Sequence, residues 1–309
     1  MNENRVILAG GSGFLGRSLA EVLGREGCDV IVLTQGRARE EGSVRFVPWD
    51  GKTVGDWMPL LENALAVVNL TGKSVNCRYT PAARAEILNS RIDSVRALGE
   101  AIARCAQPPR VFMQSGSLAI YGNPGDHVCT EDSPHGSGFS AEVCRASEAA
   151  FNGLALPATR KVLLRIGFAL KCREGALRTL ENITRLFLGG TIGNGRQYIS
   201  WIHIADLDRM FLSCLERDDL SGTFNATGPT PVTNAQFMAE LRRALHRPWS
   251  PPVPAALVRI GARVMGTEGD LALHGFRCLP TRFLEAGFRF DFTSLGTALS
   301  DLYGTDNAL

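Results

Sequence analysis

The chain has 309 residues, 45% of them hydrophobic and 21% charged, and its 33 Lys and Arg nearly balance 31 Asp and Glu. That length suits one large α/β unit with a smaller lobe, since single cores stop growing near ~250–300 residues, and the composition excludes a disordered chain. A net charge of +2 with no block of Lys and Arg argues against nucleic acid as a partner. The longest apolar runs, such as Val162 to Ile166, fall far below the ~20 residues that span a bilayer. Met1-Asn2-Glu3-Asn4-Arg5 leads straight into a short apolar strand, without the basic and long apolar regions of a secretion signal. A cytoplasmic protein with no membrane partner is expected. Cysteines 28, 77, 105, 129, 144, 172, 214 and 278 include no CxxC pair and no close His, so they read as reduced thiols, with no metal site.

Short Val- and Ile-rich runs alternate with longer helical patterns through the first half, as a parallel, doubly wound α/β sheet requires. The predicted strands are Val6 to Ala9, Val30 to Leu33, Val44 to Val47, Ala66 to Leu70, Val111 to Gln114 and Lys161 to Arg165. A helix from about Gly13 to Glu26 follows the first. Leu88, Ile92, Val95, Leu98 and Ile102 recur at three- and four-residue steps, the stripe of a helix packed on one sheet face. After Arg165 the pattern loosens: Leu188 to Gly195 reads as a Gly-rich loop and Phe237 to Leu245 as a helix. Pro248, Pro251, Pro252 and Pro254 mark a connection between lobes, and Ala255 to Met265 is a last helical stretch. The expected division is a Rossmann-type domain over 1–165, to which 200–228 returns, and a smaller C-terminal lobe built from 166–199 and 229–309.

The first strand runs into Gly10-Gly11-Ser12-Gly13-Phe14-Leu15-Gly16 and then a helix, the setting of a dinucleotide fingerprint. A pyrophosphate must approach backbone N–H groups at a helix N-terminus, and a Cβ in that turn would hold it away. The heptad reads as GxxGxxG from Gly10 or GxGxxG from Gly11, and both registers share Gly13 and Gly16. Sites for NAD usually place an acid about 20 residues further on, bonded to the ribose 2′-hydroxyl. Here the second strand ends Leu33-Thr34-Gln35-Gly36-Arg37 with no acid. Arg37 offers a cationic fork suited to a 2′-phosphate, with Arg39 as a possible helper, so NADP is expected ahead of NAD. The competing reading pairs Arg37 and Arg39 with Glu40 and Glu41 on a solvated loop.

With this turn in place, the chain resembles the extended short-chain dehydrogenase/reductases, and within them an atypical, epimerase-like branch with a small C-terminal domain. The resemblance rests on Trp49-Asp50, Asn69-Leu70-Thr71-Gly72, and Tyr79-Thr80-Pro81 leading to Ser90-Arg91-Ile92. It continues through Gly193 to Tyr198, Ser200-Trp201-Ile202-His203-Ile204 with Asp206-Leu207, Phe224-Asn225-Ala226-Thr227, Pro231 to Asn234, and Glu285 to Phe288. It implies that Asp50 lies beside the adenine, that Leu70, Thr71 and Gly72 run along the cofactor, and that Arg165 to Phe168 closes near the nicotinamide. It also places a Ser or Thr four residues before Tyr121-Gly122, at Ser117, to polarise a substrate oxygen, with Ser115 as the alternative. Homodimers in such families form through helices that here lie near Arg84 to Cys105 and Ser140 to Phe151.

Most members of that family use a Tyr-x-x-x-Lys helix, whose ammonium lowers the phenol's pKa for proton exchange with the substrate. Aligned on Glu148, this chain has Ser140 at the Tyr place and Cys144 at the Lys place. Replacement proton donors to consider are Cys144, Glu142, Tyr121 and His203. Structural readings compete with each: Cys144 as a small buried hydrophobe, and His203 as a hydrogen-bonded lock between lobes. Tyr198 and Trp201 are expected to pack, and Arg145 is a candidate for ribose hydroxyls. The expected activity is NADP-dependent oxidation, reduction or epimerisation at a hydroxyl or carbonyl of a small polar, sugar-like substrate. The alternative is a non-catalytic NADP-binding protein.

Overall fold

Strands that are apolar on both faces must be covered on both faces, which is how a parallel sheet wound by helices is built. The computed structural model describes residues 4–264, 266 and 268–304. The strands of its main sheet, in chain order, are β1 (Arg5–Ala9), β2 (Asp29–Thr34), β3 (Arg39–Glu41), β4 (Val44–Pro48), β5 (Ala66–Asn69), β6 (Val111–Ser117), β7 (Arg160–Ile166) and β8 (Gly222–Ala226). They form one sheet in the order β8-β7-β6-β5-β1-β2-β4-β3, and every pairing is parallel except β3 with β4. Alternation along β1 sends Val6 and Leu8 into one apolar layer and Ile7 and Ala9 into the other.

The first layer is closed by Leu19 and Leu23 of helix α1 (Phe14–Arg25) and by Leu207, Met210 and Phe211 further along the chain. The second is closed by Val95, Leu98 and Ile102 of α2 (Pro81–Ala103) and Phe151 of α3 (Phe139–Asn152). The later part of the expected stripe is thus the inner face of α2, while Leu88 and Ile92 are only half-buried. That helix starts where Thr80 caps the Ala83 N–H and Pro81 takes the first position, where its missing N–H costs nothing.

Three further helices, α4 (Gly175–Arg185), α5 (Ile204–Glu216) and α6 (Asn234–Ala244), follow. A separate apolar cluster joins Leu177, Trp201, Phe237, Met238 and Leu241 to Leu295, Ala298 and Leu299 of a C-terminal helix. α6 begins three residues earlier than its apolar pattern suggests, because Thr233 and Gln236 form a reciprocal capping box. Gly189 to Gly195 has no regular structure, although Ile192 bridges to Val253. The stretch expected to be the last helix is α7 (Ala255–Val264), whose expected end Met265 lies outside the described residues, but it is not the last: helices at Asp270–Leu273, Thr281–Glu285 and Leu295–Tyr303 follow. Among the described residues no helix is long and apolar enough to cross a membrane.

One sequence expectation needs correction. Arg39 to Glu41 is not a solvated loop but the edge strand β3, folded antiparallel on β4. Arg39 bonds Glu41 at 2.6 Å and lies 3.6 Å over the Phe46 ring, so a charged pair and an aromatic face hold the hairpin.

α1 and α5 meet through a buried polar contact, in which the Ser18 hydroxyl donates to Asp208 Oδ2 at 2.7 Å. Burial pushes the Asp208 carboxyl up to about 6 from its ordinary 3.8, although the Ser18 hydrogen bond and Lys171 oppose this. The folded state therefore holds a proton that the unfolded chain has released, and stability falls as pH rises through that window. The cost at neutral pH is about 3 kcal/mol. Asp208→Asn keeps an acceptor for Ser18 and is expected to raise neutral-pH stability by roughly 1–3 kcal/mol. Urea unfolding at several pH values checks this; equal pH slopes for the two proteins would remove Asp208 as the cause.

Candidate active site

Chain direction across the sheet reverses between β1 and its neighbour β5, and the crevice above their C-terminal ends is where such folds bind ligands. The glycine turn fills one side of it. Gly10 has φ +72°, and a Cβ there would lie 2.8 Å from Thr71 Cα. A Cβ on Gly16 would collide with the backbone of Gly11, so these glycines let α1 close onto the turn. Gly13 differs: its φ is −74° and a Cβ would meet nothing within 4 Å. Neither conformation nor packing requires glycine there. The open space lies at the N-terminus of α1, where Gly13 supplies no side-chain cap and the first turn carries no acid. Bare N–H groups beside open space suit a phosphate. Across the crevice, the Thr71 hydroxyl is buried with no hydrogen-bond partner. The site thus fits a dinucleotide.

Phe14 lies against Gly175, and both Phe14 and Leu15 pack against the first apolar layer. Arg17 anchors the turn, donating to the Ser12 carbonyl at 2.9 Å and to Glu174 at 2.8 Å. Beyond β2, Gly36 N–H donates to Thr34 Oγ1, and Arg37 is exposed with no ion-pair partner among the described residues. Arg39, tied into the hairpin, is already engaged. Asp50 accepts from the Lys52 and Thr53 N–H groups and from the Thr53 hydroxyl, a turn that fixes the chain after β4.

Leu70, Thr71 and Gly72 leave β5 under control of Asn69. The Asn69 amide donates to Gln114 at 2.8 Å and to Ser94 at 3.1 Å, while its oxygen accepts the Thr71 N–H at 3.0 Å. Ser115 donates to the Asn69 carbonyl at 2.8 Å, which ties it to the β5 end. Ser117 accepts the Ala119 N–H at 3.2 Å and has no acceptor for its own proton among the described residues. Of the two serines, Ser117 is the one free to donate to a substrate oxygen.

The expected proton donors do not converge on this point. Tyr121 is buried, with its hydroxyl 2.8 Å from the Thr130 carbonyl and from Asn225 Oδ1, and accepting from Arg165 at 2.8 Å. Burial pushes its phenol up to about 12 despite the Arg165 charge, which makes it a structural link. Burial, with Glu148 nearby, raises the Cys144 thiol to about 11, so it stays neutral against Leu118 and its neighbours. Glu142 sits on the exposed side of α3's first turn. His203 caps α5 through Nδ1, lies 3.3 Å from Asp301 and stacks 3.8 Å from Phe292, and burial lowers its pKa. It is a neutral lock. Trp201 is fully buried and donates to the Thr230 carbonyl. Arg145 donates to the Gly136 carbonyl.

Two groups at this site make contacts that the sequence reading did not give. Arg91 of α2 lies against Gly72, where a Cβ would come within 3.0 Å of its Cζ, and donates to the Lys73 and Ile87 carbonyls. It occupies the expected apolar stripe, three residues after Leu88 and four before Val95. A cation on an inward helix face was the available signal. Arg165, in the segment that the resemblance places near the nicotinamide, forms a buried bidentate pair with Glu148 at 3.0 and 2.9 Å.

Comparison with known proteins agrees with this geometry. Residues 6–163 match the model of the NAD dependent epimerase/dehydratase family, and residues 253–302 match a domain of unknown function, DUF1731. The chain is 33% identical to Epimerase family protein YfhF of Bacillus subtilis over 301 residues, covering 96% of this chain and 97% of that one. It is 34% identical to Epimerase family protein SDR39U1 of Bos taurus, covering 96% and 99%. Among solved structures, human epimerase family protein SDR39U1 with NADPH superposes with a TM-score of 0.87 at 31% identity, covering 97% of this chain and 99% of that one. The glycine turn, the crevice beside it and these whole-length likenesses place the chain in the NAD dependent epimerase/dehydratase family.

Proposed function

We propose that the protein is an NADP-dependent oxidoreductase or epimerase acting on a hydroxyl or carbonyl of a small polar molecule. The observation that carries this reading is the unfilled space at Gly13, facing uncapped N–H groups of α1. The human relative solved with NADPH supports the choice of nucleotide. When bound, a nicotinamide dinucleotide supplies the redox chemistry, taking a hydrogen with two electrons from a C–H bond or returning it. The protein's own residues bind and orient. Backbone N–H groups from Gly13 onward hold the pyrophosphate, Arg37 holds a 2′-phosphate, and Thr71 and Gly72 form the wall along the cofactor. Ser117 directs its free proton at the substrate oxygen, polarising the carbonyl or steadying the alkoxide.

A second reading, a nucleotide-binding protein without turnover, is favoured by Ser140 and Cys144 at the places of the family's Tyr and Lys. Turnover of a carbonyl or hydroxyl substrate that Ser117→Ala slows by about 10²-fold supports the enzyme; tight binding with no product from a broad sugar-nucleotide screen supports the second reading. Calorimetric titration with NADP and NAD, oxidised and reduced, tests the site itself. Gly13→Val is expected to abolish binding with little loss of stability, since its side chain enters open space; retained binding would place the pyrophosphate elsewhere. Arg37→Asp is expected to weaken NADP by roughly 10–100-fold, the worth of a charged hydrogen bond, and NAD far less. Equal losses would remove Arg37 from the 2′-phosphate role.

A further inference from the structure

The neighbours of the two vacated family positions on α3 are themselves a phenol and a cation, both delivered by the α2 side. Tyr79, just before α2, stands beside Ser140, and its ring packs on Phe139 with centroids 5.0 Å apart. Its hydroxyl oxygen is buried and has no hydrogen-bond partner at good geometry. Arg91, three helical turns further on, stands beside Cys144 and against Gly72 on the cofactor wall. The phenol and the guanidinium are close enough to influence one another's charge. Tyr79 also lines a cavity of about 500 Å³ with Arg78, Ile260 and Glu268. Glu268 fixes its backbone, accepting the Tyr79 N–H at 2.8 Å.

We propose that Tyr79 is the proton donor and acceptor of this site and that Arg91 is the cation that stabilises its phenolate, so that α2 supplies the pair that relatives draw from α3. The proposal rests on the nucleotide-dependent reading above. In the reducing direction the Tyr79 O–H bond breaks as an O–H bond forms on the substrate oxygen. The phenolate left behind faces Arg91, with Ser140 nearby, and regains its proton from solvent; oxidation runs the same transfer in reverse. Burial, with Cys77 and Glu268 nearby, raises the phenol, and Ser140 and Arg91 oppose that rise. A bound, positively charged nicotinamide adds to their effect.

Carbon NMR of protein labelled at tyrosine Cζ follows ionisation of the four tyrosines, with Tyr79→Phe identifying the signal. Arg91→Leu is expected to raise the Tyr79 midpoint by about one pH unit or more, and Arg91→Lys to leave it nearly unchanged. A midpoint insensitive to Arg91→Leu overturns the pairing. Calorimetry of NADP⁺ binding in mildly alkaline buffers of different ionisation enthalpy counts released protons. Wild type is expected to release a fraction of a proton that Tyr79→Phe does not, and equal release overturns the catalytic role. This count also decides the matter if unfolding precedes ionisation. Absence of NADP⁺ binding to wild type would overturn the functional reading itself, a result distinct from binding without proton release.

Discussion

Beneath the crevice, one buried arginine holds the elements that shape it. Arg165 on β7 grips Glu148 on α3 with two hydrogen bonds, donates to the Tyr121 hydroxyl and reaches the Glu131 carbonyl. Glu131 in turn accepts the N–H groups of Asn225 on β8 and of Arg282 near the C-terminus. A buried ion pair of this kind adds little net stability, because desolvation offsets the attraction, but losing one partner leaves a bare charge at a cost of about 3–5 kcal/mol. Its effect is on placement. With every donor of the guanidinium directed, α3 has one seating on the sheet, and so do Ser140 and Cys144 upon it.

That fixed seating explains how chemistry could pass from one helix to another. α2 and α3 cover the same sheet face and pack on one another. Any side chain that α3 loses at their junction leaves room that α2 can fill from the opposite side. Small Ser140 and Cys144 make that room, and Tyr79 and Arg91 take it. On the proposal above, the motif leaves its usual spacing while α2 supplies the two groups.

Six of the sheet's eight strands were legible in the sequence because short apolar runs have few alternatives, whereas the edge strands β3 and β8 carry no such run, and the stripe from Leu88 to Ile102 pointed to a helix. The glycine turn was legible for a chemical reason that the geometry makes sharper: Gly13 has no packing need to be glycine, whereas Gly10, Gly11 and Gly16 do. Other features depend on contacts across distance. No local pattern tells that Arg39 closes a hairpin over Phe46, that Tyr121 is held by Arg165 and Asn225, or that His203 stacks on Phe292. Polar residues such as Arg91 and Asp208 gain their meaning from what the fold brings to them.

The C-terminal cluster carries a consequence for synthesis. Its core takes Leu177 from α4, Trp201 ahead of α5, Phe237 from α6, and Leu295, Ala298 and Leu299 from a helix that ends at Tyr303. Two backbone N–H groups near that end, Asp291 and Phe292, are bound by Asp206, which is fully buried. The sheet likewise waits for β8 at Gly222 to complete its edge. A ribosome must therefore release nearly all of the chain before this lobe can close. The nucleotide turn, whose β1, α1 and β2 lie within the first 34 residues, waits through most of translation with its partners incomplete, and the interval is one in which a chaperone would find apolar strand and helix faces uncovered.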